Sequence, residues 1–272
     1  MSSKIKDIHF IKLVLPITLL LLISLLISAA ASTTAPNFPG TVPCNPASDT
    51  NWSAGTSSVA DIQTAFNTGR AGDCASLPAL SMPSQSTWNA MTDGEKALYL
   101  INSERQARGI HTLHGVETNV TSIAQGYANY LMTNDLWGHC ENGCPDDRLN
   151  ANPTIGPCQD FIPYAENIAA FMQSYGTVPL PIERSVYGWL YDDSSSSWGH
   201  RYALLYYPYT DNSGPAGKEG FMGIGKASGS WGGWPSATVI VYNTFDPCSS
   251  WVYTDTPAVS KLVISLIIRL KP

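Results

Sequence analysis

The hydrophobic pattern of this chain changes near Gly199. Before that residue, apolar side chains recur at the spacing of a helix face, most clearly over residues 120–131 and 182–190. After it, two runs rich in β-branched and aromatic residues, 220–229 and 237–245, are separated by the turn sequence SWGGWPS. Helices followed by paired strands are typical of an α+β fold. The sequence therefore predicts helices packed on a small antiparallel sheet.

The helical part has identifiable start and stop signals. Thr92 followed by Glu95 forms a capping-box pattern, in which each side chain accepts from a backbone N–H at the helix start. Gly109 would end this helix. The segment YAENIAAFM is interpreted as a short helix with Glu166 at its start. The predicted helices cover residues 58–72, 95–108, 120–134, 164–172 and 182–190.

The N-terminal segment predicts export. Three lysines precede the apolar run 13–28, and Ala29, Ala30 and Ala31 follow it. This order of basic, apolar and small residues is typical of a secretory signal peptide. The run is also long enough for an uncleaved membrane anchor, since about 20 apolar residues span a bilayer. With either outcome the body of the protein is secreted or extracellular.

Six cysteines follow the signal segment, at positions 44, 74, 140, 144, 158 and 248. An even number of cysteines in an exported chain indicates disulfides before it indicates metal ligands. Cys44 and Cys74 are a plausible local pair, although six cysteines allow about 15 connectivities. The short Cys140–Cys144 spacing beside His139 also fits a zinc knot, as an alternative.

The charge balance argues against nucleic-acid binding. The chain has 15 Lys and Arg against 21 Asp and Glu. Removing residues 1–31 takes away three lysines and Asp7, which leaves 12 basic against 20 acidic residues. No basic stripe is left to neutralise phosphates.

Composition divides the chain into four parts. Residues 1–31 are the signal or anchor, and 32–86 are a linker rich in Ser, Pro and Gly with a short helical extension. Residues 87–248 form the main domain and 249–272 a tail. The apolar stretch of the tail, 262–268, is far too short to span a membrane. It fits a surface strand or a short interfacial helix equally well.

The order of several short motifs resembles the CAP superfamily, also called the SCP domain, and within it the bacterial branch. These motifs are LINSERQARGI at 100–110, Gly138-His139, AENIA at 165–169, Trp189 and the Gly199-His200-Arg201 triplet. The family comprises cysteine-rich secretory proteins, antigen 5 and pathogenesis-related 1 proteins. The resemblance covers roughly residues 90–246.

The resemblance implies an α-β-α sandwich, in which helices flank a small antiparallel sheet, with an open cleft floored by two histidines and two acids. Carried over one by one, these are His139, Glu166, Asp192 and His200, and Asp193 is a rival for the second acid. The family has Glu where this chain has Asp192, whose side chain is one methylene shorter. Two imidazoles with a carboxylate can hold Zn²⁺ or another divalent metal, with His139, His200 and Glu166 as its ligands.

Three functions fit this sequence. The resemblance implies a secreted binding module, for a lipid or other small hydrophobic ligand or for a divalent metal. The alternatives are a metal-dependent extracellular hydrolase with Glu166 as base, and a wall-associated structural protein that binds an extracellular surface component. No G-x-S-x-G or HExxH motif is present, and no catalytic residue is assigned. Membrane contact is expected only through the N-terminal segment or the tail. His111 and His114 are expected in a solvated loop.

Overall fold

A computed structural model describes residues 48–73, 76–158, 166–205, 220–248 and 250–252. The signal segment, the proposed Cys44–Cys74 pair and the apolar tail lie outside these residues. In chain order the helices and strands are α1 (Val59–Ala71), α2 (Gln85–Ala90), α3 (Asp93–Ala107), β1 (Gly115–Val116), α4 (Thr118–Asn134), α5 (Pro145–Asn150), β2 (Glu166–Gln173), α6 (Pro181–Tyr191), α7 (Gly199–Leu205), β3 (Phe221–Trp231) and β4 (Trp234–Phe245).

The fold is α+β, as predicted, with one sheet in the order β1-β3-β4-β2. β4 pairs antiparallel with both β3 and β2, and the predicted pairing of residues 220–229 with 237–245 is confirmed. The short β1 pairs with β3 in parallel, so the sheet is mixed rather than purely antiparallel. β2 lies at one edge of the sheet.

Both faces of the sheet are covered by helices. Ile240 and Tyr242 of β4 belong to a core shared with α1, α3 and α6. Val239 and Val241, which point to the opposite face, belong to a second core shared with α4. This alternation follows from the two-residue period of a strand, and coverage of both faces explains why β4 is buried at every position from Ala237 to Phe245.

The close approach of α4 to β3 depends on glycine. A Cβ atom added at Gly225 would lie 2.2 Å from the carbonyl oxygen of Ala124, and one at Gly223 would lie 2.3 Å from the backbone nitrogen of Thr121. Any larger residue would force the helix away from the sheet. At the far end of β3, Gly232 and Gly233 both have positive φ, as a two-residue hairpin turn requires.

The expectation of a helix over residues 164–172 is wrong, because Glu166–Gln173 is a β-strand. Alanine, methionine and glutamate favour a helix in isolation, but an apolar run this short does not distinguish helix from strand. Eight residue pairs with β4 decide the conformation. Ile168 lies in the α4-side core and Ala169 packs against the other, which is the alternation of a strand.

The predicted helix start at Thr92 is confirmed. Its hydroxyl accepts from the Glu95 N–H, and the Glu95 carboxylate accepts from the Thr92 N–H. Just before it lies α2, which was not predicted from the sequence; in this helix Trp88 is buried and donates its indole N–H to Glu183. His114 is also buried rather than solvated, and its ring lies 5.0 Å from that of Phe221.

A buried ion network joins α1, α3 and α7. Arg70 donates to Glu104 at 2.9 Å, and Arg108 pairs with both Glu104 and Asp73. Asp73 also accepts from Arg201 at 3.1 Å. These side chains are almost completely inaccessible to solvent, so each charge depends on its partners.

All four cysteines in the described residues form disulfides, Cys140–Cys144 and Cys158–Cys248. The zinc alternative for Cys140 and Cys144 is therefore wrong, because a sulfur in a disulfide offers no thiolate to a metal. Within the described residues, none of the helices has the length and apolar character that crossing a membrane would need.

Candidate functional site

The loop that carries His139 is anchored to α4. The Tyr127 hydroxyl donates to the Gly138 carbonyl at 2.6 Å and accepts from the Glu141 N–H at 3.2 Å. Burial raises the pKa of Tyr127, so the hydroxyl keeps the proton that it donates. The Cys140–Cys144 disulfide closes the chain directly after His139. Two constraints thus limit the positions that the imidazole can take.

Glu166 contacts His139 from the first position of β2. The distance from Nδ1 of His139 to Oε1 of Glu166 is 2.9 Å. The carboxylate is fully buried, whereas 43% of the His139 side chain is exposed. Because Glu166 starts a strand, its carboxylate is held by the sheet and not by a helix N-terminus.

The second oxygen of Glu166 is also occupied. Oε2 accepts from the Arg148 guanidinium and, at 3.2 Å, from the Asn243 amide of β4. Arg148 also donates to the His139 carbonyl at 3.0 Å, and its guanidinium lies over the Tyr127 ring, 3.4 Å from the centroid. The buried carboxylate is therefore paired with a cation, as burial of a charge requires.

His200 has a matching arrangement with Asp193. The distance from its Nδ1 to Oδ1 of Asp193 is 2.6 Å, and the Arg201 N–H donates to Oδ2 at 3.1 Å. Asp193 is buried, while 23% of the His200 side chain is exposed. The Asn167 amide, next to Glu166, donates to the His200 carbonyl at 2.9 Å and links the two halves of the site.

Asp192 is placed differently from the acid that contacts His200. It is exposed at the end of α6 and lies near Asp49. Partial burial, followed by the charges of Asp49 and Asp193, raises the pKa of Asp192. Asp49 is held in turn by Ser194, whose N–H and hydroxyl donate to it at 2.7 and 2.6 Å. The structure thus brings together His139, Glu166 and His200, with Asp193 rather than Asp192 on the second imidazole.

The two imidazoles are neighbours. Their ring centroids are 6.4 Å apart. A carboxylate only accepts hydrogen bonds, so each neutral ring carries its proton on Nδ1 and leaves the lone pair on Nε2. Neither Nε2 atom has a hydrogen-bond partner among the described residues. Two oriented nitrogen donors are therefore accessible to a ligand.

A divalent metal would draw these two donors slightly closer together. Two imidazoles on one tetrahedral zinc ion, with Zn–N bonds of about 2.0–2.1 Å, have centroids roughly 5 Å apart, about 1 Å less than the 6.4 Å between these rings. A carboxylate on the far nitrogen of a ligand imidazole is the usual arrangement in zinc proteins. Both Glu166 oxygens already have partners, so Glu166 would orient His139 rather than bind the ion. His139 and His200 would hold it, with the remaining positions open.

The described residues contain one group of three candidate ligand atoms within 4.8 Å of one another, formed by Cys144, Asp146 and Asp147. Its sulfur belongs to the Cys140–Cys144 disulfide, and Asp147 accepts from the Cys144 N–H at 2.9 Å. This group is therefore explained by the start of α5 and not by a metal.

Sequence reasoning missed Arg148 and Asn243. They lie 18 and 77 residues from Glu166, and neither belongs to a motif. The one available signal is Asn243 itself, a polar residue in the apolar run of β4, which a buried partner would explain.

A cavity of about 290 Å³ adjoins the site, and His200 and Asp193 are part of its lining. It lies between β2 and α6, and its walls include Trp52, Phe171, Arg184 and Asp192. This volume is at the lower limit of small-molecule pockets, which are about 300–1,000 Å³.

Comparison with protein-family models finds no match, and comparison with curated proteins finds none either. Among solved structures, the chain is similar to an extracellular protein containing an SCP domain from Bacillus anthracis str. Ames. The identity is 15% and the TM-score 0.37, and the match covers 60% of this chain and 45% of the other. A similarity of this size assigns neither a function nor a site residue to this chain.

Proposed function

We propose that this chain is an exported, SCP-type binding protein whose cleft takes up a divalent metal ion between His139 and His200. The observation that carries the proposal is the pairing of two neighbouring imidazoles with buried carboxylates. Each ring contacts its carboxylate through Nδ1, which leaves Nε2 as the donor atom, and the ring centroids are 6.4 Å apart. With two protein ligands, the ion would keep open positions for an extracellular partner molecule.

The disulfides and the N-terminal pattern support export. Cys140–Cys144 and Cys158–Cys248 are stable in an oxidising compartment, and the apolar run after three lysines has the order of a secretory signal. The order of the short motifs along residues 100–201 supports the SCP type.

The geometry favours metal binding over lipid binding and over hydrolysis. A lipid would need more room than the adjoining cavity of about 290 Å³ offers. A hydrolase would need a carboxylate free to take a proton, but both oxygens of Glu166 are engaged, by His139, Arg148 and Asn243. The binding role therefore has the better support.

Calorimetric titration of the exported chain with Zn²⁺ tests this function. His139→Ala and His200→Ala should each remove most of the binding, because each deletes one of two protein ligands. Glu166→Gln and Asp193→Asn should weaken binding by about 10- to 100-fold, the usual cost of losing the group that orients a ligand. Affinity should also fall from about pH 7.5 to about pH 5.5, because protons compete for the ligand nitrogens.

His111→Ala is the matched control, since His111 is an exposed histidine outside the site. It should bind Zn²⁺ as the wild type does. If both site variants also bind like the wild type, the two-histidine site is wrong for this protein.

A further inference from the structure

Among the described residues, the outer edge of β2 has no strand partner. β2 pairs there with β4 on one side only. Near its start the edge is covered, because the Trp189 indole donates to the Ile168 carbonyl at 3.1 Å. From Ala169 onward the strand residues are at least partly exposed, and Met172 is 45% exposed.

The direction of the backbone groups follows from Ile168. Its carbonyl accepts from Trp189 of α6 and therefore points away from β4. In an antiparallel pair the backbone groups of every second residue point the same way, so those of Ala170 and Met172 also point outward. Within the described residues these outward groups have no hydrogen-bond partner. The edge also lacks the charges, prolines and bulges by which proteins usually protect an exposed strand.

A groove of mixed charge runs beside this edge. It is the cavity of about 290 Å³ between β2 and α6. In its lining, the Arg184 guanidinium lies over the Phe171 ring, 4.6 Å from the centroid, and it pairs with no carboxylate of the described residues. Burial lowers the pKa of Arg184, as expected for a cation that lacks a counterion. The exposed Asp192 also lines this cavity.

The backbone spacing of Arg184 and Asp192 matches that of an extended chain. From Arg184, within α6, to Asp192, at its C-cap, eight residues rise about 12 Å at about 1.5 Å each. An extended strand rises about 3.3 Å per residue, so residues four positions apart span nearly the same length and share one face.

We propose that the free edge of β2 binds an extended peptide segment, which adds as a strand beside Ala170 and Met172. The segment carries an acidic residue that pairs with Arg184 and a basic residue, four positions away, that pairs with Asp192. Main-chain hydrogen bonds to the edge provide affinity, and the two charges provide selectivity.

Fluorescence anisotropy with a defined peptide tests this proposal. The probe is a labelled seven-residue peptide of threonine and valine, with a glutamate and a lysine four positions apart. Ala170→Pro removes one outward N–H but leaves the ladder to β4 intact, as proline on an edge strand does. It should weaken binding about 2- to 12-fold, corresponding to one hydrogen bond, with little change in the melting temperature. Arg184→Glu should abolish binding, and a probe with lysine in place of its glutamate should restore it.

Measuring Arg184→Glu with both probes tests the proposal even if Ala170→Pro fails to fold. The proposal is overturned if the wild type does not bind the probe, or if Arg184→Glu binds both probes alike. It is also overturned if the wild type sediments as a dimer that Arg184→Glu dissociates, because the edge would then bind a second copy of this chain. None of these measurements depends on the metal site.

Discussion

Replacing Glu104 with glutamine tests how far the buried ion network stabilises the fold. The Glu104 side chain is completely buried and accepts from Arg70 at 2.9 Å, from Arg108, and from the Tyr191 hydroxyl at 2.6 Å. An amide keeps one acceptor oxygen but turns an N–H group toward a cation. Breaking one buried ion pair in this way costs about 3–5 kcal/mol. That is a large part of the 5–15 kcal/mol typical of a whole domain.

Urea unfolding, followed by the fluorescence of the eight tryptophans, would measure this loss. The control is Glu141→Gln, an exposed carboxylate, which should change the free energy of unfolding by less than about 0.5 kcal/mol. A loss below about 1 kcal/mol for Glu104→Gln, with an unchanged denaturant slope, would refute the reasoning.

The same variant has a defined pH dependence. Burial alone would raise the pKa of Glu104, but the charges of Arg108 and Arg70 and the Tyr191 hydroxyl outweigh it and lower the pKa. A carboxylate with a lowered pKa stabilises the folded state above its unfolded pKa, and this contribution is lost as the pH falls through the folded value. The difference between wild type and Glu104→Gln should therefore be full at neutral pH and shrink below about pH 4. A difference that stays constant down to pH 3 would contradict the network as its source.

Three further predictions concern stability. Removing the Cys158–Cys248 disulfide, with a sequence separation of 90, should lower the free energy of unfolding by about 4.5 kcal/mol, whereas removing the Cys140–Cys144 disulfide should lower it by about 2 kcal/mol, because a longer closed loop restricts the unfolded chain more. Equal losses in denaturant titrations would contradict this argument. Asp192→Asn should raise the melting temperature at neutral pH, because burial and the neighbouring acids raise the pKa of Asp192 and thus disfavour its charged form in the folded state. This gain should vanish at acidic pH, where the wild-type carboxyl is protonated. Gly225→Ala should lower the melting temperature by an amount corresponding to about 1–3 kcal/mol or more, because its Cβ would overlap the α4 backbone; an unchanged value would show that α4 can move away freely.

Local signals in the sequence predicted much of the fold. The Thr92–Glu95 capping box is a short-range interaction, and it is present as expected. The β3–β4 hairpin was predictable because its turn glycines and flanking β-branched residues agree. The strand at Glu166–Gln173 was not predictable, because its composition favours a helix and only pairing with β4 makes it a strand.

The site shows the same division between local and tertiary information. His139, Glu166 and His200 came from a resemblance in motif order, and the structure places them together. The choice between Asp192 and Asp193 depends on how the chain turns after α6, which two adjacent aspartates in a sequence do not reveal. Arg148 was missed for a similar reason, since a single arginine in a short helix carries no sign of its buried partner.

The protonation of the two site histidines tests the central claim most directly. Long-range ¹H–¹⁵N NMR spectra at about pH 7.5 distinguish the two neutral tautomers of each imidazole. The buried carboxylates predict a proton on Nδ1 of both His139 and His200, and Zn²⁺ should then shift the Nε2 resonance of both rings while leaving that of His111 unchanged. A proton on Nε2 in either site histidine, or site resonances that do not respond to Zn²⁺, would contradict a metal site formed by these two residues.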